Sequence, residues 1–138
     1  MVAFLLATSY TSSPLKLEYS ALGDVTIFIS YGPVLVGLSF IVQAGYFDWI
    51  AIYYALPTTI INTAVMHINN SRDAITDVQA GVRTIANFIG PQNCFYLLLI
   101  YYCTAFLILP LISIEMDSFM VLLPLITIPK AYIICKKF

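Results

Sequence analysis

Residues 48–77 read DWIAIYYALPTTIINTAVMHINNSRDAITD, and the contrast between the two halves of this stretch decides the fold. Asp48 and Arg72 enclose 23 residues without a charge, Trp49 to Ser71, after which polar side chains crowd together. A helix rises about 1.5 Å per residue, so about 20 residues cross a hydrocarbon core of about 30 Å. The run is long enough to cross once, and the polar cluster marks one of its ends.

The same pattern recurs on both sides. Val25 to Phe47 is another 23-residue run without a charge, Thr84 to Ile114 is a run of 31, and Ser118 to Cys135 contains only Lys130. The chain as a whole is 61% hydrophobic and 9% charged, with a mean hydropathy of +0.93. A soluble domain carries about a quarter charged residues, and a chain this short has too little polar surface to cover so much apolar side chain. The expected fold is therefore all-α, a polytopic transmembrane bundle with four complete helices near 25–45, 48–67, 93–113 and 118–135. Residues 2–10 read as the stump of a further helix, because the apolar run Val2 to Ala7 has neither the length nor the preceding basic residues of a signal peptide. Gly32-Pro33, Pro57, Pro110, Pro124 and Pro129 fall inside apolar runs, which membrane bundles tolerate, and Pro91 suits the first turn of the third complete helix.

Charge excludes some functions and orients the rest. The net charge of -1 and the absence of a Lys/Arg-rich stretch leave no footprint for nucleic acid. Cys94, Cys103 and Cys135 are odd in number, lack C-x-x-C spacing and sit in apolar runs, so they read as reduced, buried small hydrophobes. If the helices alternate, Lys16, Arg72, Arg83, Lys136 and Lys137 share one side, and Lys130 snorkels toward it. Asp48, Glu115 and Asp117 hold the other. Six basic residues against none assign 67–92 to the cytoplasmic side of a multi-pass membrane protein.

Polar residues in so apolar a chain are costly unless used. They gather in His67-Ile68-Asn69-Asn70-Ser71-Arg72-Asp73-Ala74-Ile75-Thr76-Asp77, followed by Gln79, Arg83 and Thr84. Asn69, Asp73 and Asp77 stand at i, i+4 and i+8, which on a continuous helix places them along one face. Two carboxylates one turn apart, with an amide oxygen beside them, form a hard-oxygen set suited to Mg²⁺, and Arg72 or Arg83 suits a diphosphate. A solvated loop at a membrane surface accounts for the spacing equally well. His67, alone at a helix end, reads as an interfacial, hydrogen-bonded histidine.

The ordered stretch HINNSRDAITDVQAGVRTIANFIG (67–90) resembles the second aspartate motif of the UbiA prenyltransferase superfamily. The resemblance is greatest to its menaquinone-type branch, which includes bacterial dihydroxynaphthoate prenyltransferases and animal relatives. EYSALGDVTIFISYGPVLV upstream, Gln43 to Gly45, and LPLITIP at 123–129 resemble the family in the same order. The resemblance implies a bundle of nine helices around a cavity, in which two aspartate motifs hold a prenyl diphosphate through Mg²⁺. It implies that Asp73 and Asp77 are the catalytic metal ligands with Asn69, that Asn70, Arg72 and Arg83 meet the prenyl diphosphate, and that Tyr19, Gly23 and Asp24 lie in the loop before the fifth helix. The reaction implied is transfer of an isoprenoid chain to a naphthoquinone-type aromatic acceptor in menaquinone or vitamin K biosynthesis, with Tyr31, Phe40, Tyr53 or Tyr54 shielding the allylic cation. The implied location is the endoplasmic reticulum or Golgi of a eukaryote, or the inner membrane of a bacterium.

No second acidic pair with i, i+4 spacing stands on the same side, so residues 1–138 read as a single partial domain lacking the first aspartate motif and the last helix. Such a chain by itself is expected to be inactive. The alternative is an inactive truncated homologue that binds lipid or a partner. A transporter is a further rival, disfavoured because the polar residues gather at one surface rather than at mid-bilayer. The orientation is directly testable. A cysteine placed at Gln79 in a protein freed of other cysteines is expected to resist an impermeant maleimide added outside intact cells, and labelling from the outer or lumenal face overturns the assignment.

Overall fold

Inside a bilayer the backbone finds no water, so each long apolar run must satisfy its own N–H and C=O groups, and helices do this. The computed structural model describes residues 22–137, and the expected stump at 2–10, together with Lys16 and Tyr19, lies outside them. Helix α1 spans Gly23–Ala44, α2 Trp49–Arg72, α3 Ala74–Gln79, α4 Ile85–Ile89 and α5 Pro91–Glu115. A 3-10 segment, Phe119–Thr127, leads into α6, Ile128–Lys137. Four stretches are long and apolar enough to cross a membrane: Gly23–Ala44, Trp49–Arg72, Pro91–Glu115 and Phe119–Lys136. The protein is an all-α, multi-pass membrane chain, and no strand occurs among the described residues.

Local chemistry explains where the helices begin, stop and bend. Asp48 accepts the Ile50 N–H at 2.9 Å and so caps α2, while Gly45, at φ 79°, ends α1 in a left-handed turn. Pro91 occupies the first position of α5, as expected from the sequence. Pro33 lies in a π-helical turn, Ser30–Val34, that widens α1 where a proline N–H is missing. Directly beside it the buried Gly32 meets α2. A Cβ at Gly32 would stand 2.7 Å from Thr59 Cγ2, so the approach of these two helices requires glycine.

The inner stripe of α2 holds Thr59, Thr63 and His67, each buried and one turn apart. The two threonine hydroxyls donate to carbonyls four residues back, Thr59 to Ala55 and Thr63 to Thr59, both at 3.0 Å. Their polarity is thereby consumed within the helix. Ala64 and Leu98, neither exposed, pack with Cys135 where α2, α5 and α6 meet. Large apolar residues face outward instead, among them Leu107, Ile114 and Phe119. That inversion is natural where lipid is the surrounding solvent.

Four expectations need correction. The last span is not α-helical throughout: its first half is a 3-10 helix, in which Pro124 cannot donate. Cys94 and Cys135 are buried, but Cys103 is exposed on the outer face of α5. Helix α2 runs on to Arg72 rather than ending near 67: the apolar contacts of Ile68 continue inward, and the ladder carries on to the Asp73 N–H, which donates to the Asn69 carbonyl at 3.0 Å. Gly23 and Asp24 are not in a loop; they form the buried first turn of α1.

The Gly32–Thr59 contact makes a defined forecast. Gly32→Ala is expected to lower stability by about 1–3 kcal/mol through overpacking. Adding Thr59→Ser, which deletes the offending methyl, is expected to recover part of that loss in thermal unfolding in detergent.

Candidate functional site

Three helix ends meet on the side where the polar cluster emerges. Asp24, 2% exposed in the first turn of α1, faces the C-terminal part of α2. His67 has no exposed surface; its Nδ1 lies 2.9 Å from Asp24 Oδ2 and its Nε2 lies 3.2 Å from the carbonyl oxygen of Cys94, in the first turn of α5. A carbonyl only accepts, so Nε2 carries a proton. The second bond, between Nδ1 and the carboxylate, ties the ring to α1. Asn70 Nδ2 donates to the other carboxylate oxygen, Oδ1, at 3.1 Å. Tyr101 closes the group by packing edge-on against the His67 ring, with centroids 5.8 Å apart.

Sequence reading missed this cluster. It placed His67 at the interface, whereas the side chain is fully buried, and it treated Asp24 as a loop residue. Spacing holds no trace of a contact between positions 43 apart. The available signal was chemical: a lone histidine and a lone aspartate, each flanking an apolar run, fall on the same side once the helices alternate.

One turn further on the cluster opens to solvent. Arg72 donates Nε to Asp73 Oδ1 and Nη2 to Oδ2, both at 2.8 Å, in a bidentate pair. This hydrogen-bonded guanidinium holds the Asp73 carboxyl below the usual carboxylate range. The chain breaks helical geometry at Asp73, so Asn69 ends on α2 while Asp77 lies on α3. The expected single helix face is therefore divided between two helices. The one-turn spacing nevertheless survives, because Asp73 N–H donates to the Asn69 carbonyl at 3.0 Å and Asp77 N–H to the Asp73 carbonyl at 2.9 Å.

Helix α3 then stops in a paired-bond turn. Gly81, at φ 76°, donates to the Val78 carbonyl, and Val82 donates to the Asp77 carbonyl at 2.8 Å. Thr84 and Asn87 restart the chain as a reciprocal cap for α4. Arg83 sits exposed between these two devices and makes no ion pair among the described residues.

Of the residues singled out in the sequence, Asn69, Arg72, Asp73 and Asp77 share the open end, while Asn70 turns inward to Asp24. The exposed Asn69 also borders a groove of about 220 Å³ between α1 and α2, lined by Ile27, Tyr31, Asn62, Val65 and Met66. Tyr31 is thus the aromatic beside the polar end. Tyr53 and Tyr54 pair with each other about 20 Å further along α2, too far away to act there. Phe40 packs edge-on with Tyr46, near the far end of α1.

Among the described residues no three His, Cys, Asp or Glu side chains converge on a metal position. The donor set at the open end still fits Mg²⁺ in kind, since that ion is held by one or two carboxylates with water and phosphate oxygens completing its shell. A carboxylate bound by arginine retains lone pairs for a cation.

Residues 1–136 match the UbiA prenyltransferase family. The chain belongs to this family. It is 41% identical over 135 residues to UbiA prenyltransferase domain-containing protein 1 of Dictyostelium discoideum, covering 98% of this chain and 41% of that protein. It is 37% identical over 121 residues to the protein of the same name from Gallus gallus, covering 88% and 36%, and 36% identical over 121 residues to the Drosophila melanogaster homolog, covering 88% and 33%. The chain thus spans about two fifths or less of the length of these UbiA-family relatives. No solved structure matches it.

The buried pair predicts a large stability effect. His67→Leu takes the ion-pair partner from the Asp24 carboxylate in the apolar interior and leaves it the uncharged groups of Asn70 and Tyr101. Breaking a buried pair in this way costs about 3–5 kcal/mol, which thermal unfolding in detergent is expected to register as a marked drop in the midpoint.

Proposed function

We propose that this chain supplies the second aspartate motif of a Mg²⁺-dependent prenyltransferase, which moves an isoprenoid chain from a prenyl diphosphate to a naphthoquinone-type acceptor. The single observation that carries the reading is the solvent-facing end of α2 and α3. There Asn69, Asp73 and Asp77 keep one-turn backbone spacing beside a groove between membrane-crossing helices. Residues 1–138 are read as a partial domain of a larger bundle, with 67–92 on the cytoplasmic side.

Each residue has a task in that reading. Asp73, Asp77 and Asn69 hold the cation, and Arg72, whose Nε and Nη2 are held by Asp73, meets diphosphate oxygens with its remaining N–H groups. Arg83, exposed and unpaired among the described residues, offers a second positive charge. When bound, magnesium neutralises charge developing on the departing diphosphate. The groove beside Asn69 receives the first isoprene units, and Tyr31 presents an aromatic ring to the allylic carbon as its C–O bond breaks. The electron-rich acceptor ring attacks that carbon and loses a proton.

Asp73→Asn and Asp77→Asn test this reading in the full-length protein. Each change keeps the side-chain shape at a solvent-reached end, and an exposed ion pair such as Arg72–Asp73 contributes little stability, so melting should move by less than about 1 kcal/mol. Activity is expected to fall about a hundredfold or more, the cost of removing one preorganised electrostatic contact. Excess Mg²⁺ should restore part of it. Full activity in both variants would leave these carboxylates as solvated surface charges.

A further inference from the structure

The buried group behind the open end has no place in the chemistry just described. Asp24 belongs to α1, yet each of its oxygens has a partner on α2, Oδ2 in His67 and Oδ1 in Asn70, with the Tyr101 hydroxyl of α5 also close to the carboxylate. His67 in turn reaches the Cys94 carbonyl on α5. Asn70 directly follows Asn69 and precedes Asp73 by less than one turn. A rotation of the end of α2 by one residue's step, about 100°, would break both contacts and re-aim Asn69 and Asp73.

We propose that Asp24 is a positioning residue: through His67 and Asn70 it sets the rotation of the last turns of α2, and thereby the direction in which Asn69, Asp73 and Asp77 face a metal-bound diphosphate. The proposal rests on the diphosphate reading above, and it assigns Asn70 to the clamp rather than to the ligand. Apolar contact alone holds a helix rotation loosely, because neighbouring aliphatic side chains exchange partners at small cost. Two directed hydrogen bonds to one buried carboxylate leave a single orientation.

The two roles open to Asn70 predict opposite results. Asp24→Leu removes both acceptor oxygens at once, so the Asn70 N–H₂ and the His67 ring lose their partner on α1. Combining Asp24→Asn with Asn70→Asp exchanges the two groups. The residue-24 amide then accepts from His67 and donates to the residue-70 carboxylate, with the total charge unchanged. If Asn70 touched the diphosphate directly, the exchange would put a second negative charge against an anion and weaken binding further.

The test is calorimetric titration of the full-length protein in nanodiscs with inorganic pyrophosphate and Mg²⁺, with melting recorded alongside. The expected result is binding about tenfold weaker in Asp24→Leu, the loss that follows when a hydrogen bond to a charged group worth about 1.5 kcal/mol no longer aligns the ligands. The exchange is expected to return within about threefold of wild type. Asn70→Ala, which leaves Asp24 and His67 paired, supplies a milder variant that stays folded and should bind several-fold more weakly. Unchanged binding in folded Asp24→Leu or Asn70→Ala overturns the proposal, as does an exchange variant that folds but binds worse than Asp24→Leu. If wild type takes up no pyrophosphate, the diphosphate reading fails first and the positioning role with it; if wild type binds and the single variants match it, the positioning role alone fails.

Discussion

A carboxylate cannot sit among apolar helices uncompensated, and the way Asp24 is compensated organises this chain. An isolated charge in a low-dielectric interior costs many kcal/mol, so the side chain must find donors. Two come from α2, one of which reaches onward to the backbone of α5, and the Tyr101 hydroxyl of α5 stands close by. Three helices are thereby tied at one end through a single ionisable group. The tie sits directly beneath the place where the chain turns from lipid-facing to water-facing. Close packing along the rest of the α1–α2 contact, where Gly32 lies against Thr59, extends the same registration toward the bilayer interior.

Above that tie the chain changes its manner of construction. Within the spans several hydroxyls return to the carbonyl four residues back, as those of Thr26, Thr59, Thr63 and Ser71 do. Beyond Arg72 internal bonds continue at Asp73, Thr76, Thr84 and Asn87, but other polar side chains turn to water. Asp77, Gln79 and Arg83 stand on short helices and turns, shaped by a left-handed glycine at 81 and a reciprocal Thr84–Asn87 cap. Membership in the UbiA family gives this division a meaning: an inert, self-satisfied scaffold carries a small wet surface at one end.

Much of the scaffold was legible beforehand because it follows from one property, charge-free length. The four spans, the start of α5 at Pro91 and the exit of α2 into a polar cluster are all consequences of what hydrocarbon permits. The reading fell short where two elements had to be brought together. Asp24 and His67 are too far apart in sequence for any periodicity to join them, and Asn70 resembles a ligand-binding residue until its partner is seen. The division of Asn69, Asp73 and Asp77 between two helices was hidden for a different reason. Local backbone geometry at Asp73 departs from the helix while the hydrogen-bond ladder does not, and spacing reports the ladder.

The 3-10 segment Phe119–Thr127 bears on how far the last span reaches. Phe119–Lys136 has 18 residues, which as an α-helix would extend about 27 Å, short of a hydrocarbon core of about 30 Å. A 3-10 helix rises about 2.0 Å per residue instead of 1.5, so the tighter coil stretches the same residues to about 31 Å. Pro124, which an α-helix would accept poorly, sits in the half that is drawn out. Wound in this way, these 18 residues reach about as far as 21 would in a continuous α-helix.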